Sequence, residues 1–162
     1  MADIVPVQLA YEAAVRAIAD QASVVESLRS RAGTIFAATA LVTSFLGGFA
    51  LAGAAEEIEP GSRTGIAIGI FVVLAVLTLA ILWPYRLRFS ISAREMLAIV
   101  DARSGDNPVT GAEAYRELAL RYETMYEFNA VRVRVLLWCF RLAIVCLVAE
   151  VAMWIAILEE VR

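Results

Sequence analysis

Two long stretches without a single charge constrain this chain more than any other feature. Residues 33–54 read GTIFAATALVTSFLGGFALAGA, and residues 64–83 read TGIAIGIFVVLAVLTLAILW. As helices they would reach about 33 Å and about 30 Å, enough for the hydrocarbon core of a bilayer. Between them, residues 55–63 hold Glu56, Glu57, Glu59, Pro60, Gly61 and Arg63, a short acidic loop that makes the pair a membrane hairpin. A third apolar run, 142–158, reads LAIVCLVAEVAMWIAIL with Glu150 at its centre. It extends backward through VLLWCFR, so the third span is read as 135–158 and includes Arg141. Composition agrees: 61% of the 162 residues are apolar and 19% charged, against roughly half and a quarter in ordinary globular chains. The expected fold class is all-α, an integral membrane protein with three transmembrane helices and a cytoplasmic helical stalk.

Orientation follows from the arginines flanking the spans. All 14 basic residues are arginine. Residues 1–32 carry Arg16, Arg29 and Arg31, and residues 84–134 carry eight more; the opposite side has only Arg63 and Arg162. The N-terminus and the middle segment are therefore expected in the cytoplasm of a cell with an inner membrane. The acidic loop and residues 159–162 are expected outside. Trp83, Tyr85 and Trp138 fall near the inner boundary, where an aromatic belt would sit. The first long apolar stretch begins only at Gly33, so no cleavable secretion signal is expected.

Residues 7–31 have helical periodicity, with Tyr11, Val15, Ile18, Ala22, Val25 and Leu28 along one stripe. Only Gly33 stands between this helix and the first span. Pro84 is expected to end the second span. Ser92-Ala-Arg-Glu95 and Thr110-Gly-Ala-Glu113 have capping-box spacing and open helices expected over 93–102 and 111–134. Ser104-Gly-Asp-Asn-Pro108 is a break between them. Tyr115, Leu118, Tyr122, Met125, Asn129 and Val133 line one face of the second helix. The expectation is an elongated stalk with no compact soluble part.

Glu150 is the sharpest residue in the chain. An ionisable group near the bilayer midplane must face a partner, a cavity or a pore. Thr43 and Ser44 lie at the same depth in the first span. Two readings are open: a carboxyl group hydrogen-bonded to one of these hydroxyls, or a carboxylate ring or proton site in an oligomer. Arg141 lies nine residues earlier on the opposite helix face and is expected to snorkel to the headgroups. Ala40, Ser44, Gly48 and Ala52 form a small-residue ladder in the first span, and Gly65 and Gly69 a G-x-x-x-G in the second. Such faces let helix backbones approach closely, within one chain or between copies. Arg29, Arg31, Arg86, Arg88, Arg132, Arg134 and Arg141 are read as membrane-interface residues suited to anionic headgroups.

Several chemistries are excluded by residue type. The chain has no histidine and no lysine, hence no Ser-His triad, no His-ligated zinc and no Schiff-base lysine. Cys139 and Cys146 lie about 10.5 Å apart along one helix, too far to share an ion or a disulfide. No catalytic residue, metal or cofactor is expected, and a net charge of −3 gives no reason to expect nucleic acid.

The segment VESLRSRAGTIFAATALVTSFLGG resembles the start of small bacterial membrane proteins of the SLATT and Pycsar-effector type. The likeness lies in helix order, the arginine-flanked first span and the tight hairpin. The order LRSRAG departs from the Asp-x-Lys-Ala pattern of the Pycsar group. The resemblance implies effectors that assemble in the bilayer and perturb it. The functional expectation is a homo-oligomeric, non-enzymatic membrane protein that forms or gates a pore or disrupts the membrane. The alternative is an adaptor whose stalk recruits a cytoplasmic protein partner through Tyr115, Tyr122 and Met125, and a proton-coupled transporter is a third.

Overall fold

The computed structural model describes residues 4–53, 62–101 and 110–160, with side chains for 5–48, 64–98, 110–157 and 159. Among the described residues the protein is all-α, with four helices and no strand. Helix α1 spans Ile4–Gly53, α2 Ser62–Leu82, α3 Ala93–Asp101 and α4 Gly111–Glu160. The expected acidic loop, the break at 104–108 and Arg162 lie outside the described residues.

Local chemistry sets these ends. Pro6 sits in the first turn of α1, where its missing N–H costs nothing. Gly33 does not interrupt α1, so the amphipathic stripe and the first apolar run form one helix of 50 residues, about 75 Å long. Helix α2 stops at Leu82 because Pro84 follows, and Trp83 closes the last turn by donating its N–H to the Leu79 carbonyl at 2.9 Å. The two capping sequences each make one of their two reciprocal bonds. The Glu95 N–H donates to Ser92 Oγ at 3.2 Å before α3, and the Thr110 N–H donates to Glu113 Oε2 at 3.2 Å before α4.

The chain divides into two compact units. The first comprises Met1–Val25 and Tyr85–Arg134. Ile18, Ile91 and Tyr122 form its buried centre, with Tyr11, Val15, Phe89, Leu118 and Met125 packed around them. Tyr11 touches both Tyr115 and Tyr122, with ring centroids 5.5 and 5.9 Å apart. Arg121 pairs with Glu95 of α3 at 2.9 Å. The expectation of a stalk without a compact part is corrected here: these residues have a core of their own. The face of Tyr115, Tyr122 and Met125 is packed against it and is not an open docking stripe.

The segment after Pro84 is neither helix nor loose loop. Residues 85–92 read YRLRFSIS and are not helical. Tyr85, Leu87, Phe89 and Ile91 are half-buried or buried, while Arg86, Arg88, Ser90 and Ser92 are exposed. That period of two is the signature of an extended segment with one face on a core. Asn129 fixes it in place. This fully buried side chain accepts the Arg88 N–H at 3.1 Å and donates to the Arg88 carbonyl at 2.8 Å, as a neighbouring strand would.

The second unit comprises Glu26–Pro84 and Val135–Arg162. Within it α1 and α2 are antiparallel: Arg29 meets Trp83, Phe36 stacks on Phe71 at 6.2 Å, and Val42 and Leu46 pack with Ala67. Helices α1 and α4 run parallel, with Thr43 on Glu150 and Gly47 against Trp154. The buried face of α2 is Ala67, Leu74, Thr78 and Ile81, at helical spacing. Many outward side chains are apolar on all three helices, including Phe45, Val72, Val76, Leu79, Val145 and Val148. Among the described residues, two helices are long and apolar enough to cross a membrane, α2 over Thr64–Leu82 and α4 within Gly111–Ile157.

Burial of the Tyr122 phenol in the first unit raises its pKa above the ordinary value of 10.0, and the neighbouring Tyr11 adds to the rise. A backbone hydrogen bond from Ile91 acts the other way. A raised folded-state value means that the unfolded chain ionises first, so stability is full below about pH 10 and falls as pH climbs through the folded value. Far-UV circular dichroism on an alkaline titration should show this loss, and Tyr122→Phe should reduce it. An identical alkaline profile in both proteins would show that the phenol is not desolvated.

Candidate functional site

A polar group enclosed by three apolar helices marks the second unit. Glu150 is fully buried at 0% exposure, and the Thr43 hydroxyl donates to its Oε1. The other oxygen, Oε2, is also buried and meets no hydrogen-bond partner among the described residues. One turn further along α4, Trp154 is 2% exposed and its indole Nε1 likewise has none. Thr78 of α2 is buried with its hydroxyl unpartnered among the described residues, and Thr39 is buried with its hydroxyl donating to the Ile35 carbonyl at 2.9 Å. Each of the three helices thus turns at least one polar side chain into the bundle.

Neighbouring positions do not share this environment. Ser44 is exposed, on the outer side of α1. A helix turns about 100° per residue, so Thr43 and Ser44 cannot both face Glu150; of the two hydroxyls placed at that depth, Thr43 makes the contact. The glycines divide the same way. A Cβ on Gly47 would lie 3.5 Å from the Trp154 ring, whereas one on Gly48 would meet nothing within 4 Å. Close approach within the chain is therefore at Gly47, which the ladder of Ala40, Ser44, Gly48 and Ala52 did not include. Ala40 is half-buried, and the Ala52 side chain lies outside the described residues. Gly65 and Gly69 are exposed, with no atom of the described residues within 4 Å of either Cβ position.

The interface arginines have distinct surroundings. Arg29 is half-buried and its guanidinium donates to the Trp83 carbonyl at 3.3 Å, which caps the end of α2. Arg31, Arg86 and Arg134 are exposed. Arg141 is exposed, its guanidinium 5.3 Å from the centre of the Trp138 ring, and it forms no ion pair with Glu150. Arg88 and Arg132 both stand over Phe128, at 5.1 and 3.9 Å from its centroid. Cys139 and Cys146 are free thiols, and among the described residues no cluster of acidic or thiol side chains is placed to hold a metal ion.

Sequence reasoning missed Trp154, Gly47, Thr39 and Thr78, and it placed Asn129 on its helix face without a role. Two were accessible: Trp154 is four residues from Glu150, hence on its face, and Gly47 is four from Thr43. Nothing in the order of residues distinguishes buried Thr39 and Thr78 from other threonines in apolar runs. No protein-family model matches the chain, and no curated protein or solved structure matches it.

The geometry separates adjacent substitutions. Thr43→Val removes the one side-chain hydrogen bond that Glu150 makes among the described residues and should cost about 1 kcal/mol, the scale of hydrogen bonds between membrane helices. Ser44→Val should cost nothing measurable. Gly47→Leu should lose about 1–3 kcal/mol by overpacking against Trp154, while Gly48→Leu leaves single-chain stability unchanged. Denaturation midpoints in mixed detergent micelles would read all four; equal effects at 43 and 44 would contradict the site.

Proposed function

We propose that this chain is a small integral membrane protein with three transmembrane helices, 33–54, 64–83 and 135–158. Its N-terminus and residues 84–134 lie in the cytoplasm and its C-terminus outside a bacterial inner membrane. In this reading it assembles with copies of itself and forms or gates a pore, or perturbs the bilayer as an effector, without catalysing a reaction. The effector part of this reading rests on the resemblance of the sequence to SLATT-type proteins.

The observation that carries the reading is the enclosed carboxyl of Glu150. Packing alone does not call for it, because replacing a buried polar group by an apolar one of similar volume is often neutral or stabilising. A group that weakens packing and sits at mid-depth suits a bundle with a second arrangement. Held by Thr43, Glu150 is hidden and the bundle is shut. A turn of α4 would carry Glu150 out of the core to a lumen or a neighbouring copy, and the Thr43 bond would break. The outward Gly65 and Gly69 support assembly, since they let a second helix backbone come close without disturbing the chain's own bundle.

Dye release from liposomes holding the purified protein tests this reading. The native chain should release dye, and Glu150→Gln should change the rate at least severalfold while the protein still inserts. Gly65→Leu with Gly69→Leu should lower both release and the oligomer mass measured in nanodiscs. A native chain that remains a monomer and releases nothing would refute the proposal.

A further inference from the structure

Among the described residues, Arg88 and Arg132 share one aromatic ring and no acid. Their guanidinium carbons lie 5.1 and 3.9 Å from the Phe128 centroid, which puts them within about 9 Å of each other. That is inside the screening length of about 10 Å at 0.1 M salt, so the two charges repel. A cation over an exposed ring gains only about 0.5–1 kcal/mol. Glu123 and Glu127 ride the same helix, yet among the described residues no carboxylate pairs with either arginine. Phe128 itself is 41% exposed.

The arrangement is built from below. Arg88 lies on the extended segment 85–92, and the buried Asn129 amide binds both its backbone groups. Arg132 follows Phe128 by one turn of α4. By accepting from one backbone group of Arg88 and donating to the other, Asn129, three residues before Arg132 on α4, fixes where the Arg88 side chain begins.

We propose that Arg88 and Arg132, gathered about Phe128, form a binding site for a phosphate group. Two guanidinium forks offer several N–H donors to phosphate oxygens, and a bound anion removes the repulsion between them. The phosphate can belong to an anionic lipid headgroup or be free in solution. The lipid source is favoured by position along the chain: Arg132 precedes by three residues the start of the apolar stretch 135–158, and Arg88 follows Pro84 by four. The inference goes beyond the pore reading and does not depend on it.

The test is titration calorimetry on the full chain in neutral detergent, with dihexanoyl phosphatidic acid, dihexanoyl phosphatidylcholine and inorganic phosphate as separate ligands. Phosphatidic acid should bind and phosphatidylcholine should not. If inorganic phosphate fails to compete, the source is the headgroup; if it competes at similar concentration, the source is free phosphate. Arg88→Gln with Arg132→Gln should weaken binding at least tenfold. Arg16→Gln with Arg116→Gln removes two exposed charges of the same unit and should leave it within twofold. Arg88→Lys with Arg132→Lys keeps the charge and loses the forks, so binding should fall between the native and Gln proteins. Equal losses in the 88/132 and 16/116 Gln pairs, or no binding of either phosphate by a native chain with intact helicity, would overturn the site.

Discussion

An apolar exterior wrapped around a polar centre is the constraint from which the rest of the second unit follows. Phe45 is 67% exposed, Leu79 64% and Val148 64%, while Glu150, Thr39 and Thr78 are almost wholly buried. Water would penalise every one of those exposed side chains by about 25 cal/mol for each Å² it wets. Hydrocarbon would not, and it would penalise an outward carboxyl instead. The same solvent that accepts the outside therefore confines Glu150 to the inside. In the proposed membrane placement the Thr43 bond is a consequence of that confinement, because the only acceptable neighbours of a carboxyl are those the bundle supplies.

The first unit obeys the opposite rule. Most of its described charged residues are exposed, and its core is made of Ile18, Ile91 and Tyr122 with Tyr11, Val15, Leu118 and Phe89 packed around them. Helices α1 and α4 each supply residues to both units, and their sequences change character accordingly. In α1 the one-sided stripe from Tyr11 to Leu28 gives way to a run apolar all round from Gly33. Arg29 closes the end of α2 through the Trp83 carbonyl, a role for which its charge suits the negative end of a helix.

Helix extents were legible in the sequence because they depend on local chemistry. The charge-free runs, Pro84, and the hydroxyl and carboxyl residues at Ser92, Glu95, Thr110 and Glu113 each act within one turn of where they stand. Which side of a helix faces inward was less legible in the apolar runs, where no polar face contrasts with the buried one. Thr43 and Ser44 are chemically alike and one residue apart, so only the register between α1 and α4 separates them. Once that bond is known, Gly47 against Trp154 follows by one turn on each helix. The extended segment was legible and was passed over: YRLRFSIS alternates without a fault, but it is short and lies among helices. Asn129 sat in the predicted apolar stripe as an anomaly, and its partner, a backbone 41 residues away, left no trace in the order of residues.

The account turns on three helices lying in lipid with both arginine-rich portions in one compartment. The most direct measurement is labelling by a membrane-impermeant maleimide of single-cysteine variants at residues 57, 104 and 162. The variants would be made in a background lacking Cys139 and Cys146, in intact cells and after lysis. The account predicts that 57 and 162 label from outside and that 104 labels only after lysis. Labelling of 104 from outside, or of 162 only after lysis, would contradict it.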